Sequence, residues 1–132
     1  MLTDTISQFL TKVRNASKAG HDHVTVRPTK MIRAVSQVLI KRGFMKSMKE
    51  ITITGKSGKD VKALQLTLDT TRDPLSLTRV SKPGQRIYVG FDKIRPVRNG
   101  FGVGVFSTSK GVIADSDARK GKLGGEYICK VY

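Results

Sequence analysis

The stretch Thr70-Thr-Arg-Asp-Pro74 divides the 132-residue sequence into two parts of different composition. It is polar and ends in a proline, which breaks both helices and strands. Residues 71–132 hold nine of the 13 glycines and three of the four prolines, so long helices are not expected there. We therefore predict two small lobes, an N-terminal lobe of residues 1–70 and a C-terminal lobe of residues 71–132.

The N-terminal lobe has the pattern α-β-α-β-β. Thr3 or Asp4 is suited to cap a first helix, and Thr29 to cap a second one. Gly20 and Gly43 are suited to end these helices. Alternating apolar residues predict strands near 24–27, 48–54 and 61–68, the last two joined by a hairpin loop at 55–58. The apolar residues at helical spacing are Ile6, Phe9, Leu10, Val13 and Ala16, then Met31, Ile32, Val35, Val38 and Leu39.

The C-terminal lobe is predicted to be mostly β. Short apolar segments at 75–80, 86–89, 102–107, 111–114 and 126–132 alternate with turns, and only 116–120 has a helical pattern. Cys129 lies in the last of these strands and alternates with Tyr127 and Val131, which predicts that it is buried. Together the two lobes predict an α+β fold.

The balance of charge indicates a polyanionic partner. The chain has 25 Lys and Arg against 10 Asp and Glu, a net charge of +15. Residues 1–70 carry +8 and residues 71–132 carry +7, so the folded surface rather than a basic tail is expected to meet the polyanion. Nucleic acid is the polyanion that this charge favours.

Several other classes of protein are disfavoured. The single cysteine excludes an intramolecular disulfide framework. No run of 18 apolar residues is present, and the N-terminus lacks the apolar core of a signal peptide, so neither a membrane span nor secretion is expected. His21 and His23 are the only histidines and lie far along the chain from Cys129, so we predict no metal site and no cofactor.

Enzymatic activity is also not predicted. Ser107-Thr-Ser-Lys110 has the S-x-x-K spacing of serine acyl-enzymes. That chemistry also needs the S-D-N and K-T-G motifs, and neither occurs in this sequence. A small serine hydrolase using Ser107 and Lys110 is therefore the weakest alternative.

Three consecutive hydroxyl residues, Ser107, Thr108 and Ser109, precede Lys110-Gly111 in a predicted turn between strands. Hydroxyls donate and accept hydrogen bonds, so such a turn can meet base edges, ribose 2′-OH groups and phosphates. An ordinary Ser/Thr turn is the structural alternative.

Arg86 and Tyr88 follow a rigid turn that contains Pro83 and Gly84. Because they are two residues apart, they are predicted to share one face of a strand. A guanidinium beside an aromatic ring is a platform for an unstacked base. A packed tyrosine beside a solvated arginine is the structural alternative.

Several motifs, in order along nearly the whole chain, resemble the universal small-subunit ribosomal protein S8 family, in its bacterial or organellar type. The segment Thr3-Asp4 through Val13-Arg-Asn15 resembles the opening helix of that family. The other matching segments are Val80–Gly84 with Arg86–Tyr88, Ser107–Gly111, Ala118–Lys120, Gly124–Glu126, and Cys129 with the final Val131-aromatic pair.

The resemblance implies a two-lobe α+β protein that binds the central domain of small-subunit ribosomal RNA directly and early in assembly. Neighbouring small-subunit ribosomal proteins would be its protein partners, with no membrane involved. Bacterial members also repress translation by binding their own operon's messenger RNA. The expected location is the cytoplasmic ribosome of a bacterium, or the ribosome of a mitochondrion or plastid.

The resemblance also implies roles for single residues. Gly124 and Gly125 would allow a close backbone approach, and Glu126 would hold the site in shape. The second lobe's RNA-contacting residues would be Ser107, Thr108, Ser109, Lys110, Arg86 and Tyr88, and candidates for a second contact from the first lobe are Arg14, Asn15 and Lys30.

Another structured-RNA-binding or DNA-binding protein remains the main alternative. A DNA-binding protein would also be basic, but no predicted helix has Arg, Asn and Gln clustered on one exposed face as a recognition helix does.

Overall fold

Two helices cover one face of a three-stranded sheet in the N-terminal lobe of the computed structural model, which describes residues 5–71 and 74–132. The first helix, α1 (Thr5–Ala19), buries the five predicted apolar residues. It ends as expected at Gly20, whose φ of 78° is in the left-handed region, and the backbone N–H of His21 donates to the Ala16 carbonyl at 2.9 Å. The predicted N-terminal caps, Thr3 and Asp4, lie outside the described residues.

The second helix, α2 (Lys30–Lys41), begins and ends as the sequence predicts. Thr29 is its N-cap, because its Oγ1 accepts a hydrogen bond from the Ile32 N–H at 3.2 Å. Gly43, with φ of 85°, follows its C-terminus. The apolar residues of its stripe are buried except Met31, which is half-buried, and Ser36 is buried among them.

The sheet of this lobe has the order β1-β3-β2, all antiparallel, with β1 (His23–Val26), β2 (Met45–Thr54) and β3 (Asp60–Leu68). Leu64, Leu66 and Leu68 of β3 belong to the core. Ile53 pairs with Val61, which alternates with those leucines and therefore lies on the opposite face. Ile53 is consequently 44% exposed.

The C-terminal lobe is a five-stranded antiparallel sheet with one short helix, as predicted. Its strands have the order β4-β8-β6-β7, and β5 also pairs with β8. Two short 3-10 turns that the sequence did not predict, Phe91–Lys93 and Val97–Gly100, follow β5. The elements are β4 (Leu77–Arg79), β5 (Tyr88–Val89), β6 (Val103–Thr108), β7 (Gly111–Ala114), α3 (Asp115–Lys120) and β8 (Gly125–Val131). The α+β class is therefore confirmed.

A bulge interrupts the simple alternation predicted for β8. Val105 of β6 pairs with Cys129, but the next residue, Phe106, pairs with Tyr127, so Ile128 is the extra residue. Ile128 and Cys129 are both buried in the main core. Tyr127 instead stacks on Phe106, with ring centroids 4.3 Å apart, in a smaller cluster on the other face of the sheet.

The main core contains residues of both lobes. Leu10 and Val35 from the helices belong to the same buried cluster as Val103 and Val131 from the second sheet. The backbone N–H of Leu75 also donates to Ser17 Oγ of α1 at 2.9 Å. The division at residues 70–74 stays a prediction, and part of it lies outside the described residues. No helix in the described part of the chain is long and apolar enough to cross a membrane.

Candidate nucleic-acid interface

Three of the predicted site residues lie in one row across the second sheet. Glu126 of β8 is the pairing partner of Tyr88 in β5 on one side and of Ser107 in β6 on the other. Directly paired residues of antiparallel strands project from the same face. Tyr88 is 72% exposed, so its ring is one of the most accessible aromatic surfaces of the described chain. We call Tyr88, Glu126 and Ser107 the polar row.

The predicted hydroxyl turn joins β6 to β7 and continues from the polar row. Thr108 Oγ1 donates to the Gly111 carbonyl at 2.8 Å and accepts from the Lys110 N–H at 3.2 Å. Its hydroxyl therefore holds the turn in shape. The hydroxyls of Ser107 and Ser109 have no hydrogen-bond partner among the described residues, so they keep their full capacity to donate and accept.

The carboxylate of Glu126 is held by two groups. Its Oε2 accepts from Ser81 Oγ at 2.6 Å and from Arg86 Nη1 at 3.0 Å, and the side chain is only 19% exposed. Burial raises the pKa of this carboxyl, but the Ser81 and Arg86 hydrogen bonds and the charges of Arg86 and Arg79 outweigh it, so the pKa lies below its usual value. Glu126 is therefore ionised at neutral pH and fixed in place, which supports its predicted positioning role.

Ser81 belongs to the candidate site, although the sequence did not predict it. It is fully buried, donates to Glu126, and accepts from the Ile87 N–H at 3.1 Å. It therefore ties the turn before β5 to β8 and fixes the approach to Tyr88. The sequence contains only a weak sign of this, a serine directly before the Lys82-Pro83 turn in a segment that carries the family resemblance.

Arg86 contacts the polar row in a way that the sequence did not predict. It lies before β5, which begins at Tyr88, so the two residues do not share a strand face. Instead the Arg86 guanidinium joins the row through its ion pair with Glu126 and remains 47% exposed. Both predicted residues therefore neighbour Glu126, Arg86 through the ion pair and Tyr88 through the pairing of β5 with β8.

Gly124 and Gly125 lie very close to the backbone of neighbouring segments of the same chain. A Cβ on Gly125 would lie 2.2 Å from the Ser107 carbonyl oxygen, and one on Gly124 would lie 2.9 Å from the Val89 carbonyl oxygen. Only glycine fits these positions without a shift of the backbone. The two glycines therefore bring β8 against the strands that carry Ser107 and Tyr88, and a direct approach to RNA stays a prediction.

The three first-lobe candidates for a second RNA contact differ in whether their side chains already form hydrogen bonds within the chain. The Arg14 guanidinium, through Nη2, donates to the Leu77 carbonyl and so ties α1 to β4. Asn15 beside it is exposed, and Lys30 is exposed at the first position of α2. None of the three hydrogen-bonds with the polar row among the described residues.

Metal and thiol chemistry have no support in the described residues. They contain no group of three His, Cys, Asp or Glu side chains that could hold a metal ion. Burial raises the pKa of the Cys129 thiol to about 12, so it is protonated at neutral pH and is not a nucleophile.

Comparison with known proteins gives the family. A sequence profile described as Ribosomal protein S8 matches residues 4–132. Small ribosomal subunit protein uS8 of Caldanaerobacter subterraneus subsp. tengcongensis is 41% identical over all of this chain and 99% of the relative. The protein of the same name from Sorangium cellulosum and uS8c of Guillardia theta are each 40% identical, with full coverage of both chains. The family resemblance stated from the motifs is thus confirmed, and with it the prediction of a non-enzymatic protein. The chain belongs to the ribosomal protein S8 family.

Proposed function

We propose that this chain binds small-subunit ribosomal RNA directly, and that the polar row with the Ser109 hydroxyl of the adjoining turn selects the RNA. The relatives named above are small ribosomal subunit proteins, which supports a structural role in that subunit, in a bacterium or an organelle. The proposal concerns which surface of this chain makes the contact and what that surface recognises.

One observation carries the proposal. The hydroxyls of Ser107 in β6 and Ser109 in the following turn are unpartnered among the described residues. Ser107 lies in the same sheet as the exposed ring of Tyr88, and Glu126 between these two is held by Ser81 and Arg86 through its Oε2. Uncommitted hydroxyls can bond to ribose 2′-OH groups and base edges, and an exposed ring can stack on an unpaired base. This combination suits an irregular RNA helix better than regular duplex DNA, whose bases are stacked and paired.

The basic residues around the polar row and in the first lobe are proposed to supply affinity rather than selectivity. Lys110 at the turn, Arg86 beside the row, and Lys30 in the other lobe are each able to contact a phosphate, which supplies affinity without sequence information. Exposed Asn15 beside partly engaged Arg14 is the remaining candidate for the second contact. Neighbouring ribosomal proteins would then meet the complex in the assembled subunit.

The same surface would also accept a messenger RNA segment that folds into the same irregular shape. Binding to the chain's own operon messenger is therefore part of the proposal, as a consequence of shape recognition and not of a second site.

The test is a filter-binding titration of the double variant Ser107→Ala/Ser109→Ala. The probe is a transcript of the small-subunit ribosomal RNA central domain from Caldanaerobacter subterraneus, with duplex DNA and an unrelated structured RNA as competitors. Loss of two hydrogen bonds of about 0.5–1.5 kcal/mol each predicts a Kd that is higher by about 5- to 140-fold for the cognate transcript only.

The matched control is Ser47→Ala/Ser57→Ala, which removes two exposed hydroxyls from the first lobe. It is expected to bind like the wild type. Equal preference of the wild type and the Ser107/Ser109 variant for the cognate transcript would contradict the assignment of these hydroxyls.

A further inference from the structure

A cationic pocket lies on the opposite face of the second sheet from the polar row. Its volume is about 490 Å³, within the range of about 300–1,000 Å³ that small-molecule sites have. The segment 93–98 forms one wall, and Phe106, Tyr127 and Lys130 of the sheet lie on the other side, with Tyr132 at the chain end. We call this the 93–98 pocket.

Four cations line this pocket: Lys93, Arg95, Arg98 and Lys130. None of them forms a salt bridge within the described part of the chain, and no acidic residue lines the pocket there. Converging like charges repel each other, and an anion between them removes that repulsion. The arrangement therefore favours a bound anion.

Two of the four guanidinium and ammonium groups are held in place. The Arg98 guanidinium carbon lies 4.1 Å from the centre of the Tyr132 ring, and Arg95 Nη1 donates to the Asp92 carbonyl at 3.1 Å. Arg98 also has a φ of 50°, and Asn99 after it has a φ of 54°. Arginine rarely adopts this left-handed conformation, and strain of this kind is concentrated at functional sites.

The other side of the pocket suits a flat apolar group. Tyr127, whose ring stacks on the buried Phe106, and Val89 are the half-buried apolar residues of the lining, whereas Ile94 and Val97 are buried. The accessible parts of Tyr127 and Val89 can pack against a nucleobase while the cations bind its phosphate. A free phosphate would leave the apolar lining and most of the volume unused.

The pocket adjoins the polar row through the sheet itself. Val89 and Tyr127 directly follow Tyr88 and Glu126 in the sequence, and Phe106 directly precedes Ser107. Because side chains alternate along a strand, each of these neighbours projects to the opposite face. Strand β5 is two residues long and pairs only with β8, so the sheet is narrow where a strand of RNA would pass from one face to the other.

We propose that the 93–98 pocket takes one unstacked nucleotide of the same RNA that binds the polar row. Lys93 and Lys130 hold its phosphate, Arg95 and Arg98 contact the flanking backbone, and the base packs on the Tyr127 side of the pocket. This inference rests on the proposed function, since it assigns a second contact to the same RNA.

The test compares two double variants that remove the same charge. Lys93→Gln/Lys130→Gln alters the pocket, and Lys56→Gln/Lys59→Gln alters the exposed hairpin loop of the first lobe. Both are titrated with the central-domain transcript at several salt concentrations, and thermal unfolding checks that both are folded. The pocket variant is expected to bind at least about tenfold more weakly than the control variant. The slope of log K against log salt should fall by about 0.7 for each lysine that contacts a phosphate.

A second measurement locates the nucleotide. Ultraviolet crosslinking of a transcript containing 4-thiouridine, followed by mass spectrometry, is expected to attach a nucleotide to Tyr127, Tyr132 or segment 93–98 in the wild type and not in the pocket variant.

The possible outcomes separate the two proposals. If the wild type does not prefer the transcript over the competitors, the proposed function fails, and the pocket assignment fails with it. If the wild type prefers the transcript but the two double variants bind it equally, only the pocket assignment is overturned. That second outcome would leave an acidic protein segment as the pocket's partner.

Discussion

The two lobes carry nearly the same net charge, +8 and +7, but they differ in what their polar groups bind. In the first lobe, Arg33 pairs with Glu50 and Arg14 is tied to the Leu77 carbonyl. In the second lobe, the hydroxyls of Ser107 and Ser109 have no hydrogen-bond partner within the described chain, and Glu126 near Ser107 is held through its Oε2 by Ser81 and Arg86. Under the proposed function, this difference implies that charge attracts RNA to both lobes, whereas selection of the RNA needs polar groups that are fixed in position and still able to form hydrogen bonds.

The largest expected loss of stability is at Gly125 in the second lobe, where the backbone of β8 packs closely against Ser107. A glycine of the first lobe serves as the comparison. Gly125→Ala would place a Cβ 2.2 Å from the Ser107 carbonyl oxygen, and overpacking of this kind costs about 3 kcal/mol of unfolding free energy. Gly20→Ala in the first lobe meets no atom within 4 Å, and its positive φ costs about 1 kcal/mol. Urea unfolding followed by circular dichroism measures both, and equal losses would show that the lobes do not differ in this respect.

The next largest expected loss of stability distinguishes the two glutamate ion pairs, Glu126 with Arg86 and Glu50 with Arg33. Glu126→Gln weakens charged hydrogen bonds at a side chain that is 19% exposed, which we expect to cost about 2 kcal/mol. Glu50→Gln, at a side chain that is 52% exposed, is expected to cost less than about 1 kcal/mol. Urea midpoints at neutral pH test this order, and a loss at Glu50 as large as that at Glu126 would contradict it.

The pH dependence of the Glu126 contribution has a definite sign. The folded pKa lies below the usual value of 4.5, so the stabilisation is complete above that value and is lost as the pH falls through the lower folded pKa. The stability difference between the wild type and Glu126→Gln is therefore expected to shrink on acidification from pH 7 to about pH 3. A difference that stays constant over this range would show that the charge of Glu126 is not what holds the site.

The smallest effect concerns single lysines, one from each lobe. Lys30→Gln and Lys110→Gln are each expected to lower the salt slope of RNA binding by about 0.7, the value for one phosphate contact on a single strand. Neither is expected to change the preference for the cognate transcript, because phosphate contacts carry no sequence information. A change of preference in Lys110→Gln alone would show that this lysine belongs to the selective surface.

Local features of the fold could be predicted from the sequence because their causes are local. The apolar spacing that defines α1, the Thr29 cap of α2 and the two-residue turn before Gly111 each depend on residues within a few positions of one another. The motifs of the site, Ser107–Ser109 and Tyr88 above all, were visible for the same reason.

The remaining features depend on partners that are distant in sequence. Arg14 and the Leu77 carbonyl that accepts from it are 63 residues apart, and Ser81 and Glu126 are 45 apart. The bulge at Ile128 follows from the pairing of β8 with β6, which periodicity within β8 cannot show. Burial of Ser36 and Asp115 likewise follows from packing that overrides the usual exposure of polar residues.

The central claim is that this chain contacts one defined site in small-subunit ribosomal RNA. It is tested most directly by crosslinking the tagged chain to RNA in bacterial cells and sequencing the bound fragments. We predict that the fragments concentrate in one irregular helix of the central domain, and that the Ser107→Ala/Ser109→Ala variant loses this peak while keeping its background. Fragments spread evenly over cellular RNA, or a peak that the variant retains in full, would contradict the claim.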